Sequence, residues 1–394
     1  VFCKQFIVNV VFWNKTFFVN IRSAITILLG LIVLGCENQS NTPLSGKVQG
    51  MSMAPGFQEG DVISWQPSKN NNFSRYAPVV CQLEKELIIK RVIGLPKESV
   101  RITDGELFID DKIIQKSPQL LEQVRLIVDD DADSWSDPTH SWIQKNNQWS
   151  CRYVSPKHTS WLQFSPASSR GVVHNEDGLR IYDDVSWLPK ETRHLNSVQD
   201  IGISVVLDIH LQEGNSLEIL FTDNQSAARI IVKRQGRLAV IAGRLDGQFV
   251  VAAWPLAQER TARRISDSQN KSCLHELPRL WSACLNVSNK KRWEQRAQSL
   301  SVGIKRIGSQ EESPSGVPEM VTAEGLLVWR DIYWLSMPKK TAWIVPEKHV
   351  FVLGDCPSAS RDSRHWGPLP IDAIQGTVIK PPSHKSFPFL LHQD

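Results

Sequence analysis

Short runs rich in β-branched and aromatic residues recur through the middle of the chain, each closed by turn residues. GISVVLDIHL, SLEILFTD, ARIIVKRQ, RLAVIAG and QFVVAAW follow one another at a spacing of about 8–12 residues. Side chains in a strand alternate between its two faces, so runs of this kind must pair and bury a face against another layer. The rhythm predicts antiparallel sheets around a sandwich-like core. The same pattern stands on either side. DVISW, ELIIKRVIGL and SVRITDGELFIDDKII lie between Gly46 and about Gln115, with Asp104-Gly105 as a two-residue hairpin signal. TAWIVPEKHVFVLGD and IQGTVI return between Thr341 and Pro381. The predicted fold is mainly β: one domain built from residues 46–116 and 341–381, interrupted by an inserted β-rich domain over 117–340, since insertions are tolerated at exposed loop tips. LAQERTARRISDSQ reads as a polar loop or surface helix, SQEESPSGVPE as a linker, and 382–394 as a tail.

The N-terminal 36 residues are of another kind. Ser23 to Cys36, SAITILLGLIVLGC, is an uncharged apolar run preceded by Lys4, Lys15 and Arg22 and followed by polar sequence. The basic flank predicts a cytoplasmic N-terminus, with the remainder across the membrane. The run is shorter than the roughly 20 apolar residues of a full span. Three readings stay open: an uncleaved anchor, an export signal whose VLGC ending resembles a lipoprotein signal with Cys36 taking the lipid, and a buried core helix. The first twenty residues are unusual for a leader.

The 394 residues are enough for one large domain or two ordinary ones, and a net charge of +4 with scattered Lys and Arg gives no case for nucleic acid. Seven cysteines are too few and too irregular for a disulfide scaffold, and Cys273, His275 and Cys284 match no common zinc spacing. Of 14 tryptophans, most fall in the middle of the chain, where they read either as core or as a binding surface.

Chemistry concentrates in three separated stretches. They are Gly50-Met51-Ser52-Met53-Ala54-Pro55, Lys90-Arg91-Val92-Ile93-Gly94-Leu95-Pro96, and Gly354-Asp355-Cys356-Pro357-Ser358-Ala359-Ser360-Arg361-Asp362-Ser363-Arg364, closed by Trp366-Gly367. A serine hydroxyl needs a base to take its proton before it attacks. No histidine lies in the first two stretches, and His349 and His365 have no triad-like setting. A lysine serves if burial keeps it neutral near pH 7. Lys90 fits, flanked by Leu87, Ile88, Ile89, Val92 and Ile93. Backbone N–H groups around Gly50 and Ser52 are candidate oxyanion donors, and Gly50 would let the backbone approach closely.

Together, in this order, the three stretches resemble the conserved boxes of bacterial type I signal peptidases, membrane-bound serine–lysine proteases. The nucleophile pattern G-x-S-M-x-P followed by G-D is matched by Gly50, Ser52, Met53, Pro55, Gly60 and Asp61; the base segment K-R-v-i-G-l-P by Lys90 to Pro96. The last box, G-D-N-R-x-N-S-x-D-S-R-x-x-G, is matched at Gly354, Asp355, Ser360, Asp362, Ser363, Arg364 and Gly367. The resemblance runs from about Ile25 to Ile114 and from Trp343 to Ile379. It implies a signal-peptidase-like catalytic β-domain on an N-terminal anchor in the cell inner membrane, facing the extracytoplasmic side. Ser52 would be the nucleophile and Lys90 the general base. Ser360 would orient the lysine amine, and Asp362 and Arg364 would form a supporting ion pair, with Gly50 and Asp355 also in the site. Substrates would be preproteins with small residues at −1 and −3, bound as an extended strand beside the site, with membrane lipid as the other partner and neither metal nor cofactor required. The chain departs from the pattern at Cys356-Pro357, which replace Asn-Arg, and at Ala359, which replaces Asn. Proline removes a donor and fixes φ, so this loop is expected to be reshaped. Two other readings compete: a self-cleaving repressor-type autoprotease, for which no DNA-binding module is found, and a degenerate, non-catalytic envelope protein that binds a saccharide or peptide through the insertion.

Overall fold

The computed structural model describes residues 42–380 apart from 68–72, 152–153, 155–156, 167–170, 176–177, 186–187, 190–192, 212–214, 224–226, 234, 247, 257–299 and 308–319. The anchor or lipoprotein-like signal with Cys36, the Cys273–Cys284 region, SQEESPSGVPE, the tail and nearly all of LAQERTARRISDSQ therefore lie outside the described residues. Among the described residues no helix is long and apolar enough to cross a membrane.

The chain is mainly β. A seven-stranded sheet runs in the order Leu44–Lys47, Val62–Pro67, Ile374–Lys380, Pro78–Leu83, Glu86–Gly94, His349–Leu353, Leu369–Pro370. A four-stranded sheet of Ala342–Ile344, Ser99–Thr103, Glu106–Ile109 and Lys112–Ile113 accompanies it. Both sheets interleave early and late segments, so residues 44–113 and 342–380 need each other to complete their hydrogen bonding. The Asp104-Gly105 hairpin forms where its sequence places it. Asp104 has φ +52° and Gly105 φ +86°, and Thr103 pairs with Glu106. Two positive φ values match the right-handed twist of the flanking strands.

Strands between residues 126 and 330 make the other sheets. One runs Trp142–Lys145, Gln148–Cys151, Met320–Arg330, Ile201–His210, Gly236–Leu245, Gln248–Leu256, with Leu126–Asp129 also on Met320–Arg330. A five-stranded sheet runs Ala227–Val232, Ser216–Thr222, Ser301–Ile307, Ser160–Phe164, Trp135–Ser136. The two share one apolar core, to which Val205, Leu207, Val240 and Val328 come from the first and Leu162, Phe164, Ile219, Phe221 and Ile304 from the second. Ser216–Thr222 shows the alternation directly: Leu217, Ile219 and Phe221 point inward while their neighbours are half-buried. Ile201–His210 is buried almost throughout because both of its faces are covered, Val205 by the main core and Val206 by a smaller cluster with Ala239.

Five described tryptophans of this region settle between their two readings here. Trp135, Trp142, Trp149 and Trp329 are buried in core clusters, and Trp161 is half-buried, so these rings pack the fold rather than line an open surface. A helix over Pro118–Val124 was not foreseen from the sequence. Ser117 caps it by accepting from the Leu120 N–H, and proline occupies its first turn, where a missing donor costs nothing.

Candidate active site

The loop carrying Ser52 hangs between Leu44–Lys47 and Val62–Pro67. Met53 and Phe57 pin it by inserting into a cluster with Val48, Ile63, Trp65, Val80 and Val378. Ser52 itself stays half-exposed. Backbone bonds from Ala54 to Met51 and from Phe57 to Met53 close successive turns, and the Ala54–Pro55 peptide is cis. Gly50 has φ +74°, a left-handed conformation that side chains disfavour. A Cβ at Gly50 would meet nothing within 4 Å. The glycine is thus required by backbone conformation rather than by close approach of another part of the chain. Neither the Gly50 nor the Ser52 N–H has an acceptor among the described residues.

Lys90 lies in Glu86–Gly94, directly opposite Val79 in the neighbouring strand. Its amine is 2.9 Å from Ser52 Oγ. Only 3% of the residue is exposed. Strand alternation puts Ile88 and Val92 on the face of Lys90, and these join Val79, Cys81, Val350 and Val352 in one cluster. Leu87 was expected to help shelter the amine but is 54% exposed, and Ile89 and Ile93 belong to clusters on the opposite face. Burial holds the Lys90 amine below the ordinary lysine range; Asp362, Cys81 and Asp355 pull the other way, and Arg364 adds to the lowering. The same dry face pushes the Cys81 thiol up to about 12.

The carboxylates near the amine are already matched by arginines. Arg91 and Asp355 form two bonds, Nε to Oδ1 at 2.8 Å and Nη2 to Oδ2 at 2.6 Å, with almost no solvent access. Arg364 binds Asp362 through Nε to Oδ1 and Nη2 to Oδ2, each 2.8 Å. Pairing draws these negative charges away from Lys90, so burial outweighs them and the amine's pKa is lowered. Asp355 was expected in the site, but Arg91 as its partner was not. The available signal was an arginine in a buried strand, on the face opposite Lys90, where it must meet a carboxylate.

Asp362 is the hub of the last loop. It caps the short helix Ser363–Trp366, accepts from the Gly354 N–H at 3.1 Å, and accepts from Ser360 Oγ at 2.7 Å. Ser360 was expected to orient Lys90; its hydroxyl donates to Asp362 instead, and the two side chains share no hydrogen bond. The carboxylate is charged and buried, and it is the stronger acceptor. His365 joins the capping box by accepting from the Asp362 N–H through Nδ1, and His349 Nδ1 is at 2.9 Å from the Glu347 carbonyl. Neither histidine is aligned with Ser52. The departing residues keep the loop tied down: the Cys356 N–H donates to the Ser52 carbonyl at 3.1 Å, and the Pro357 carbonyl accepts from Arg364 Nη2 at 2.9 Å.

Gly354 is held between these parts. A Cβ there would fall on Ser360 Oγ and on the Ser52 carbonyl. Gly354→Ala should push the Ser52 loop away from Lys90; where these residues carry cleavage, a misplacement near 1 Å costs on the order of 100-fold in rate. Peptide cleavage beside a melting curve checks it: a rate within about twofold of the parent at unchanged stability would contradict the geometry.

The family described as Signal peptidase, peptidase S26 matches residues 20–158 and 320–381. The match reaches past the motif-bearing stretches on both sides and leaves 159–319 unmatched. Over 96 residues the chain is 34% identical to the mitochondrial ATP-independent inner membrane protease subunit 1b of Arabidopsis thaliana, which covers 24% of this chain and 57% of that protein. It is 31% identical over 84 residues to signal peptidase I V of Bacillus subtilis (strain 168), covering 21% and 50%. The chain thus spans about half the length of the curated relatives it matches. A GH43 protein from Bacillus licheniformis, BlXynB, aligns over 74% of this chain and 65% of its own at 10% identity and a TM-score of 0.18, too slight a likeness to bear on the fold. With the family match spanning just over half of the sequence, the chain belongs to the signal peptidase family, peptidase S26.

Proposed function

We propose that this chain is a membrane-anchored serine endopeptidase that removes N-terminal signal peptides from exported preproteins through a Ser52–Lys90 dyad. The observation that carries the reading is the 2.9 Å separation of Ser52 Oγ from a buried, solvent-starved lysine amine. In the attacking step the hydroxyl donates its proton to the neutral Lys90 amine while Oγ bonds to the scissile carbonyl carbon. Backbone N–H groups around Gly50 and Ser52 receive the developing oxyanion. Lys90 then returns the proton to the departing amine, and a water activated by the same amine hydrolyses the ester. Asp355 and Asp362, each neutralised by an arginine, position the loop, and Ser360 acts on the site through Asp362.

Substrates on this reading are extended segments with small residues at −1 and −3, laid beside a strand near the site. Residues 46–116 and 341–381 form the catalytic domain and 117–340 an inserted β-domain. The apolar run ending at Cys36 holds the enzyme in the cell inner membrane, with the catalytic part outside the cytoplasm. The test is cleavage of a preprotein carrying Ala at −1 by the full chain, Ser52→Ala and Lys90→Ala. Cleavage by the parent alone supports the proposal; equal cleavage by either variant defeats it. The lowered Lys90 pKa also sets the sign of the pH dependence. Below that pKa the amine is protonated and accepts nothing, so kcat/KM should fall about tenfold per pH unit on the acid side. A rate flat from mildly acidic to mildly alkaline pH contradicts a lysine base.

A further inference from the structure

Apart from the dyad, a second cluster of ionisable groups is buried where the two sets of sheets meet. Lys116 Nζ lies 2.7 Å from Asp246 Oδ1 and 2.6 Å from Asp331 Oδ2, and the Lys116 N–H donates to Asp246 Oδ2. The Asp246 N–H donates to Asp200 Oδ2. Glu106 completes the group: it, Asp200 and Asp246 each offer an oxygen, all within 4.8 Å of one another. Of these four carboxylates, those of Asp246 and Asp331 pair with the Lys116 ammonium. Lys116, Asp200, Asp246 and Asp331 are all nine-tenths or more buried.

The polar bookkeeping of this pocket does not close. Asp331 is 2% exposed and reaches the group through Lys116, yet its Oδ1 has no hydrogen-bond partner. Asp200 Oδ1 and the Tyr76 hydroxyl, buried against the same charges, also lack partners. Such atoms call for an unseen partner. Burial and mutual repulsion push the Glu106 carboxyl up to about 9 and that of Asp200 up to about 7.

We propose that Glu106, Asp200 and Asp246 hold a divalent cation, with Asp331 beside it, at the joint between the two sets of sheets. An all-oxygen donor set suits a hard cation. Ca2+ takes oxygens at 2.3–2.6 Å, so its ligands stand up to about 5 Å apart across the ion, whereas the Mg2+ distance allows only about 4.2 Å. The three oxygens lie within 4.8 Å of one another, close enough to meet on one such ion. Glu106 begins a strand of the four-stranded sheet, Asp200 and Asp246 flank strands of the larger central sheet, and Asp331 follows Met320–Arg330. The ion therefore ties the two sets of strands together and takes no part in peptide cleavage.

The test uses the full chain stripped with EDTA and titrated with Ca2+ or Mg2+, beside Glu106→Gln and Asp200→Asn. Ca2+ should raise the melting temperature saturably, by about 2–5 °C, reversed by EDTA. Terbium luminescence excited through tyrosine or tryptophan should appear and be displaced by Ca2+. Both responses should be lost, or need at least about tenfold more ion, in the two variants. If one variant fails to fold, the other carries the comparison. A parent showing neither response, or variants matching the parent, overturns the proposal and leaves protons as the neutralising charge.

Discussion

Lys90→Met should lose peptide cleavage by roughly a thousandfold or more while its melting temperature is unchanged or higher. Methionine fills about the same length in the same apolar face but offers no lone pair to a hydroxyl proton; general-base assistance alone is worth about 10²–10⁴-fold. The stability direction follows from linkage. The folded pKa of Lys90 is depressed, so its stabilising contribution is present above the unfolded value of about 10.4 and declines as pH falls through the folded one. At neutral pH the amine's burial works against folding, and methionine removes that cost. Lys90→Arg should be equally inactive, because a guanidinium keeps its proton. Activity near the parent's in both variants would remove Lys90 from the chemistry, whereas a large fall in melting temperature for Lys90→Met would assign it a structural role.

Asp355→Ala should cost about 3–5 kcal/mol of stability. It strands the Arg91 guanidinium, 2% exposed, with only the Tyr76 carbonyl as an acceptor among the described residues. Replacing both partners, Arg91→Met with Asp355→Leu, should recover most of the loss, because an apolar pair of similar volume carries no desolvation cost. Urea denaturation of the single and double variants measures both terms. A single variant within 1 kcal/mol of the parent would mean that water reaches Arg91. The pair also bears on the base: without Asp355 one of the carboxylates favouring protonated Lys90 is gone and Arg91 is left uncompensated. Any activity that survives should therefore lose less rate toward acid pH than the parent does.

The strands and the stretches that bring Ser52 beside Lys90 were legible because both are written locally. Val62–Pro67, Glu86–Gly94, Ile201–His210 and Gln248–Leu256 each carry their β-branched run within one short window, and Asp104-Gly105 fixes a hairpin with two residues. Ser52 and Lys90 were found from residue type and motif, without knowledge of the sheet order that joins them. What stayed hidden depends on partners far along the chain. Nothing near Arg91 names Asp355 as its counter-ion, and nothing near Lys116 names Asp246 or Asp331. Ser360 was misassigned for a related reason. A motif records which residues gather, while the choice between Lys90 and Asp362 as its partner is decided by acceptor strength at close range. The shelter around Lys90 was read from its five apolar neighbours, yet Leu87, Ile89 and Ile93 face away; the rest of the cover comes from residues on adjacent strands.

The amine's own protonation is the most direct measurement. With 13C-labelled lysine in the full chain, the Lys90 Cε resonance, assigned by its loss in Lys90→Met, is followed against pH. Titration below the ordinary lysine value of about 10.4 is expected, from burial of the amine beside Ser52. A resonance that titrates in the ordinary range, with the amine charged throughout neutral pH, would contradict it.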